Sequence, residues 1–445
     1  MIKVTIDNST SKIEGLSIDQ HKKLAKVLSY TVDPQAIYFG GGYKPRMRTL
    51  LGTKGDFPTG LLYLVTKWLE PAKIPPVVVD IRRIPKPFPG LLKANLAHSP
   101  YPEQKAAAEA AKAFKRGIIC APTGCGKSLI VALIAEKLQV PTLVVVPSLE
   151  LKRQLTETLG QIFGKNKVGS HRDGKAIAVE NVDALDESPE TIYECVIIDE
   201  FHHSGAATYR KLNKKSWNTV YYKFGVTATP FRSQDNEKLL LESVLSKVIY
   251  KIEYKTAVEK GYIVPLEAYY MDVPVTEDIK GNPTSWASMY RELVVVNEVR
   301  NYLIAQILVK LHVNGIPTLC LVKEIEHGQL LAEMSNLNFA HGTEDNTPEL
   351  IRAFNTGEIS TLIGTTGILG EGVDTKPCEM VVIAGLGKSR NAFMQQVGRA
   401  FRRHGSKDSA KILILKDNSH KWTIAHFKAQ CKILMEEYGV KAVKL

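Results

Sequence analysis

Residues 119–131 read ICAPTGCGKSLIV. An apolar run leads into a turn built from small residues, and a helix-forming stretch, SLIVALIAEKLQ, follows directly. Strand, tight loop and helix are the context that a phosphate-binding P-loop requires, and Gly126-Lys127-Ser128 is the way such a loop ends. In that geometry backbone N–H groups and the helix N-terminus cradle phosphate oxygens, a lysine reaches the terminal phosphates and a hydroxyl holds a divalent cation. Thr123, Gly124, Gly126, Lys127 and Ser128 are therefore expected to bind ATP, with Ser128 also on Mg²⁺. Ala121 stands where the common spelling has its first glycine. Taken alone the loop fits kinases, GTPases, transporters, recombinases and helicases, so the rest of the chain has to choose among them.

Outward from the loop the pattern repeats. The apolar runs GIICA, TLVVVP, AIAVEN, ECVIIDE and KFGVTAT alternate with helical stretches, which is the signature of a parallel, doubly wound α/β domain over about 96–265. The runs TLCLV, STLIGTT, EMVVIAG and AKILILK predict a second such domain over 300–445, with 266–299 as a connector. Residues 1–95 form a third region, a small α/β module that ends in the Pro-rich stretch PPVVVDIRRIPKPFPG.

Composition narrows the choice. The chain has 445 residues and a formal net charge of +12, and its first 98 residues hold 15 Lys and Arg against 7 Asp and Glu, an excess of +8. Positive charge concentrated in about a fifth of the chain suits a polyanionic partner, because neutralising phosphates releases counterions. No run of 18 apolar residues occurs, and MIKVTIDNST has no apolar core after a basic start. A membrane span and a secretory signal are therefore not expected, and the cytoplasm is the expected location. The six cysteines form no CxxC pair and sit mostly in strand-like apolar runs, which predicts buried thiols rather than a zinc site or a disulfide framework.

The stretch CVIIDEFHHS (195–204) supplies the second half of an ATP site. An apolar strand ending in Asp199-Glu200 places two carboxylates at the edge of a sheet, beside the strand that feeds the P-loop. Asp199 is expected to hold Mg²⁺ through water, and Glu200 to orient and deprotonate the attacking water. With His202 the string becomes DEFH, and the chain resembles the DExH-box helicases of superfamily 2. Further motifs of that family follow in order: Gln104 in SPYPEQ, VVPSLELKRQL (145–155), AVENVDAL (178–185), GVTATPFR (225–232), IGTTGILGEGVD (363–374) and QQVGRAFRR (395–403). The resemblance covers about 100–415 and implies two tandem RecA-like domains. It implies adenine contact by Gln104, although the family's usual spelling around that residue is not kept. It further implies nucleotide contacts by Gly372 and Asp374, and nucleic-acid backbone contacts by Pro147, Ser148, Arg153, Thr365 and Thr366. Gln395, Arg399 and Arg402 would act on the nucleotide from the second domain, so that hydrolysis is tied to closing of a cleft.

DEFHH, TATPFR, VVVNEVRN (294–301) and GTKGDFPTGLLYLV (52–65) resemble the UvsW-like phage recombination helicases, a branch that acts on branched DNA. This resemblance places the Phe-Pro-Thr-Gly turn at 57–60, with Phe57, Arg46 and Arg48, against forked DNA. The aromatics Tyr38, Phe39, Tyr43 and Trp68, interleaved with Lys44, Arg46 and Arg48, are candidates for stacking on unpaired bases. A monomeric, ATP- and Mg²⁺-dependent motor on forks or Holliday-type junctions is the expectation, with other replication or recombination proteins as partners. An RNA helicase and a duplex translocase that separates no strands remain open. A non-motor DNA-binding protein with a decayed ATPase is disfavoured because Lys127, Asp199, Glu200, Arg399 and Arg402 are all present. A restriction translocase would require partner chains. Removing residues 1–95 is expected to impair junction binding more than basal ATP hydrolysis.

Overall fold

The computed structural model describes residues 1–32, 46–72, 75–185, 192–201, 206–228, 235–275, 285–369, 378–385, 387, 389–401 and 407–445. The chain divides into two compact units, Met1–Ala121 with Gly126–Ile252, and Glu253–Leu445 with Pro122–Cys125.

The first unit holds both the N-terminal module and the first α/β domain. In the module, Lys3–Ile6 and Thr10–Glu14 pair as an antiparallel hairpin, Asp56–Pro58 adds antiparallel on one side and Val77–Asp80 parallel on the other. The helices Ile18–Val27 and Leu62–Leu69 supply Leu24, Val65 and Leu69 to a core completed by Val4, Ile6, Ile13, Leu28, Phe57 and Leu61. Ser17 starts the first helix with a capping box to Gln20. The helical pattern stops where SYTV begins, and these β-favouring residues form the strand Ser29–Val32, paired with Arg46–Thr49 in a two-stranded ribbon.

The module is fastened to the α/β domain rather than strung from it. The carbonyl of Asn8, in the hairpin turn, accepts hydrogen bonds from Arg116 Nη2 and from Lys223 Nζ at 3.1 Å, and its amide donates to Thr219 O at 2.9 Å. Tyr63 OH donates to Glu242 Oε2 at 2.6 Å, and Leu239 packs into the module's core. The Pro-rich stretch is a strap: Phe88 N bonds Gln139 O, Asn95 N bonds Ile162 O, and Leu92 is buried. Gly60 lies so close to the helix Asp235–Leu245 that a Cβ there would overlap the carbonyl oxygens of Glu242 and Ser243. Backbone cannot retreat as a flexible side chain does. Gly60→Ala is therefore expected to destabilise the protein by about 1–3 kcal/mol, read as a fall of several degrees in Tm. An unchanged Tm would mean that the contact yields.

The α/β domain of this unit is a seven-stranded parallel sheet in the order Val248–Lys251, Arg116–Cys120, Tyr222–Thr227, Cys195–Asp199, Thr142–Val146, Ile177–Asn181, Val168–Gly169. Its inner strands are buried along their whole length, as continuous apolar runs in a doubly covered sheet must be. One expectation is corrected here. The strand carrying Asp199 does not lie beside the strand that feeds the P-loop, because Tyr222–Thr227 is hydrogen-bonded between the two.

The second unit carries its own seven-stranded parallel sheet, in the order Phe339–Ala340, Thr361–Thr365, Thr318–Val322, Met380–Ile383, Ala410–Asp417, Leu266–Val273, Val443–Lys444. Residues 266–273, expected in a connector, are a full strand paired with Ala410–Asp417 over eight positions. The motif at 294–301 has a structural job. Asn297 Oδ1 caps the helix Glu298–Val313, Asn301 Nδ2 bonds Val295 O, and buried Arg300 donates to Ala384 O at the end of Met380–Ile383. All six cysteines are free and five of them are buried. No described helix is long and apolar enough to cross a membrane.

Candidate nucleotide site and nucleic-acid interface

Parallel strands bring their carboxyl ends to one edge of the sheet, and open α/β sheets place ligands there. Register puts Cys120 opposite Thr227, and Val226 opposite Asp199, so the P-loop, Thr227 and the acidic pair share one level. The loop bends through left-handed glycines, Gly124 at φ 92° and Gly126 at φ 74°, and Gly126 caps the helix Lys127–Leu138. The positive φ at Gly126 favours glycine, and a Cβ there would sit 2.6 Å from Gln104 Nε2, so that side chain would have to move. Gln104, expected to read adenine, is buried at 3 % exposure, and its Oε1 accepts from Tyr101 N at 2.8 Å. Its amide backs the loop in this structure.

Lys127 Nζ lies 2.9 Å from Glu200 Oε1, and the other Glu200 oxygen accepts from Thr227 Oγ1 at 2.8 Å. Glu200 itself has φ 47°, and its N–H bonds Val226 O at 2.9 Å and Asp199 Oδ1 at 3.1 Å. A non-glycine residue in the left-handed region carries strain, and such strain collects at sites that must hold one geometry. Asp199 is buried, and burial first, then the neighbouring Glu200 carboxylate, push its pKa well above the usual range, with Lys127 pulling the other way. A carboxyl buried in that position either takes up a proton or keeps its charge beside a cation. Among the described residues no group of three or more His, Cys, Asp or Glu could hold a metal ion by itself, so a cation here would need phosphate oxygens and water as further ligands.

Sequence reasoning missed Thr227 as the anchor of Glu200. The available signal was GVTATP, whose first threonine ends the strand that lies between the loop and the acidic pair.

In the second unit, Gln395 lies on the helix Arg390–Gly398, which follows the strand Met380–Ile383, and Arg399 is the C-cap of that helix. Ser389 starts it, its Oγ accepting from Ala392 N. Thr365 ends the strand Thr361–Thr365 and Thr366 begins a short helix, so both lie at the carboxyl edge of the second sheet. His202, Gly372, Asp374 and Arg402 lie outside the described residues, as do Tyr38, Phe39, Tyr43 and Lys44.

The nucleic-acid candidates divide. Pro147 and Ser148 follow the strand Thr142–Val146 at the sheet's carboxyl edge. Ser148 Oγ accepts from Leu151 N as the N-cap of Leu149–Phe163, which leaves its O–H free to donate outward. Arg153 is exposed and paired with Glu150 and Glu157. Arg46 and Arg48 are exposed on the ribbon strand. Phe57 is a correction: at 1 % exposure it belongs to the module's core, where the apolar ring is held by helix and sheet, and it presents no face to a base. Trp68 likewise packs against that core.

Residues 97–232 match the family described as "Type III restriction enzyme, res subunit", and residues 301–404 match "Helicase conserved C-terminal domain". The chain belongs to the superfamily 2 helicases. The two matches divide between the two α/β domains. It is 29% identical over 337 residues to a protein named helicase 22 of Sulfolobus islandicus filamentous virus (isolate Iceland/Hveragerdi), covering 67% of this chain and 60% of the viral one. It is 25% identical over 375 residues to the DNA 3'-5' translocase XPB2 of Sulfurisphaera tokodaii, covering 74% and 83%. It is 22% identical over 365 residues to the ATP-dependent DNA helicase UvsW of Enterobacteria phage T4, covering 74% and 70%. The chain thus spans less than two thirds of the viral relative's length.

Proposed function

We propose that this helicase is an ATP-driven DNA motor that remodels or unwinds branched DNA, and that it works in the host cytoplasm in phage replication, recombination or repair. The observation that carries the reading is the docking of the basic module: a region of net charge +8 is fastened by Asn8, Arg116 and Lys223 to the domain that holds the P-loop. A grip on DNA through that module is then mechanically part of the motor. Two relatives bear names that specify DNA, one a translocase and one a helicase, which supports the choice of DNA over RNA.

In this reading Lys127 and the N–H groups of 123–128 hold the terminal phosphates, and Glu200, aimed by Thr227, orients and deprotonates the attacking water. Left-handed Gly124 and Gly126, the Ser128 hydroxyl and the buried carboxyl of Asp199 fit a nucleotide accompanied by Mg²⁺, which Ser128 and Asp199 would hold. Bound there, the ion would neutralise charge on the terminal phosphates. Gln395, Arg399 and Arg402, with Gly372 and Asp374, serve the nucleotide from the second domain. Pro147, Ser148, Arg153, Thr365 and Thr366 track the phosphate backbone, and Arg46 and Arg48 meet the branch.

ATP hydrolysis and unwinding measured on a three-way fork, a four-way junction, tailed duplexes, plain duplex and RNA test the proposal. Forks and junctions should stimulate most, with binding that weakens steeply as salt rises. Stimulation by RNA alone would replace DNA by RNA. Hydrolysis on plain duplex without strand separation would make the protein a translocase.

A further inference from the structure

The outermost strand of the first α/β sheet, Val168–Gly169, is bordered by residues 164–176, which carry Lys165, Lys167, Arg172 and Lys175 against a single acid, Asp173. Lys165 and Arg172 are exposed, and Lys167 and Lys175 half-buried. Among the described residues none of these four cations has a carboxylate within ion-pair distance, whereas Lys152 and Arg153 on the adjoining helix are both paired. Four like charges within eleven residues repel one another, and a tight turn has no need of them.

The edge is nevertheless built firmly. Glu180, whose side chain is 2 % exposed, accepts from Lys152 Nζ at 2.7 Å, Ser170 Oγ at 2.6 Å, and His171 N and Nδ1 at 2.8 Å each. Burial pushes its pKa up, but the bonds from Lys152, Ser170 and His171 outweigh burial and hold it at about 2. Ser170 N bonds Asp173 Oδ2 at 2.7 Å, and Tyr193 OH reaches His171 O at 3.4 Å. A charged carboxylate thus fixes a surface turn and ties it to the helix that follows Pro147 and Ser148.

We propose that this edge is a second grip on nucleic-acid backbone, in which Lys165, Lys167, Arg172 and Lys175 contact phosphates and Glu180 is the positioning residue that fixes the turn presenting them. The inference rests on the nucleic-acid reading above and deepens it. A branched substrate offers more than one arm, and the strands that end at Val146, ahead of Pro147, and at Asn181 are neighbours in register. Through Glu180 and Lys152 the two backbone grips move as one body.

The test replaces all four cations by Gln, with Glu180→Gln and Glu180→Asp made separately, and follows fork binding against salt and the DNA dependence of ATP hydrolysis. For the quadruple variant the slope of log affinity against log salt should become shallower by about 2 to 3, at roughly 0.9 for each phosphate no longer neutralised, and the KM for fork DNA should rise about tenfold or more at physiological salt. Its basal hydrolysis and its kcat at saturating DNA should stay at wild type. Glu180→Gln should raise KM with kcat retained, and Glu180→Asp should recover part of that deficit. A quadruple variant with wild-type slope and KM overturns the proposal, and it decides the matter even where Glu180→Gln fails to fold. A wild-type protein that binds no nucleic acid overturns the reading beneath it instead.

Discussion

Lys127→Ala is expected to lower ATP hydrolysis by two to three orders of magnitude or more and to abolish unwinding. Lys127 is the cation 2.9 Å from Glu200, and it opposes the rise that burial imposes on Asp199. Its removal takes away the charge that would meet the terminal phosphates. It also leaves two neighbouring carboxylates without the cation that balances them, so nucleotide phosphate would face net negative charge. The fold should survive, because Glu200 keeps Thr227 Oγ1 and the helix Lys127–Leu138 is held by its buried residues Ile130 to Ala135 and Leu138. Stopped-flow or coupled-assay rates, taken with a thermal melt, check this. A variant that folds and hydrolyses ATP within tenfold of wild type would remove Lys127 from the site and sink the assignment.

The strand and helix around Lys127 and Ser128, and the strand that ends at Asp199, were legible because such elements leave a local signature in the sequence. Both parallel sheets were legible for the same reason, since strands covered on both faces read as apolar runs. Partners distant in sequence were not. The bond from Thr227 to Glu200 joins residues 27 apart, and Asn8 meets Lys223 across 215 positions. Neither leaves a pattern in either segment. Leu266–Val273 (LEAYYMDV) mixes polar and apolar residues, more than half of them only partly buried, and so does not read as a central strand. Phe57 was placed against DNA by the family resemblance of its Phe-Pro-Thr-Gly stretch, and a motif match carries no information on burial, whereas its ring fills the space between helix and sheet.

Removing residues 1–95 is expected to lower Tm by about 10 °C or more and to take basal ATP hydrolysis with it, in contrast to what the sequence suggested. The strand that ends at the P-loop begins at Arg116, and the strand that ends at Thr227 begins at Tyr222, next to Lys223. The module holds both beginnings through the Asn8 carbonyl, in a setting where Lys223 is 1 % exposed and burial, then the Arg116 guanidinium, pull its pKa well below the usual lysine range. Truncation opens this interior to water. It strips Leu239 and the Glu242 carboxylate of their partners, and it removes the strap that bonds Gln139 and Ile162 and buries Leu92. Each of these interactions is worth on the order of 1 kcal/mol, and together they are a large share of a domain's stability. Melting curves and ATP hydrolysis of the truncated and full-length proteins, compared without DNA, decide the matter. A truncated protein that keeps its Tm and basal rate while losing fork affinity would show that the module is a tethered recognition arm, and that Arg116 and Lys223 donate to water as readily as to the Asn8 carbonyl.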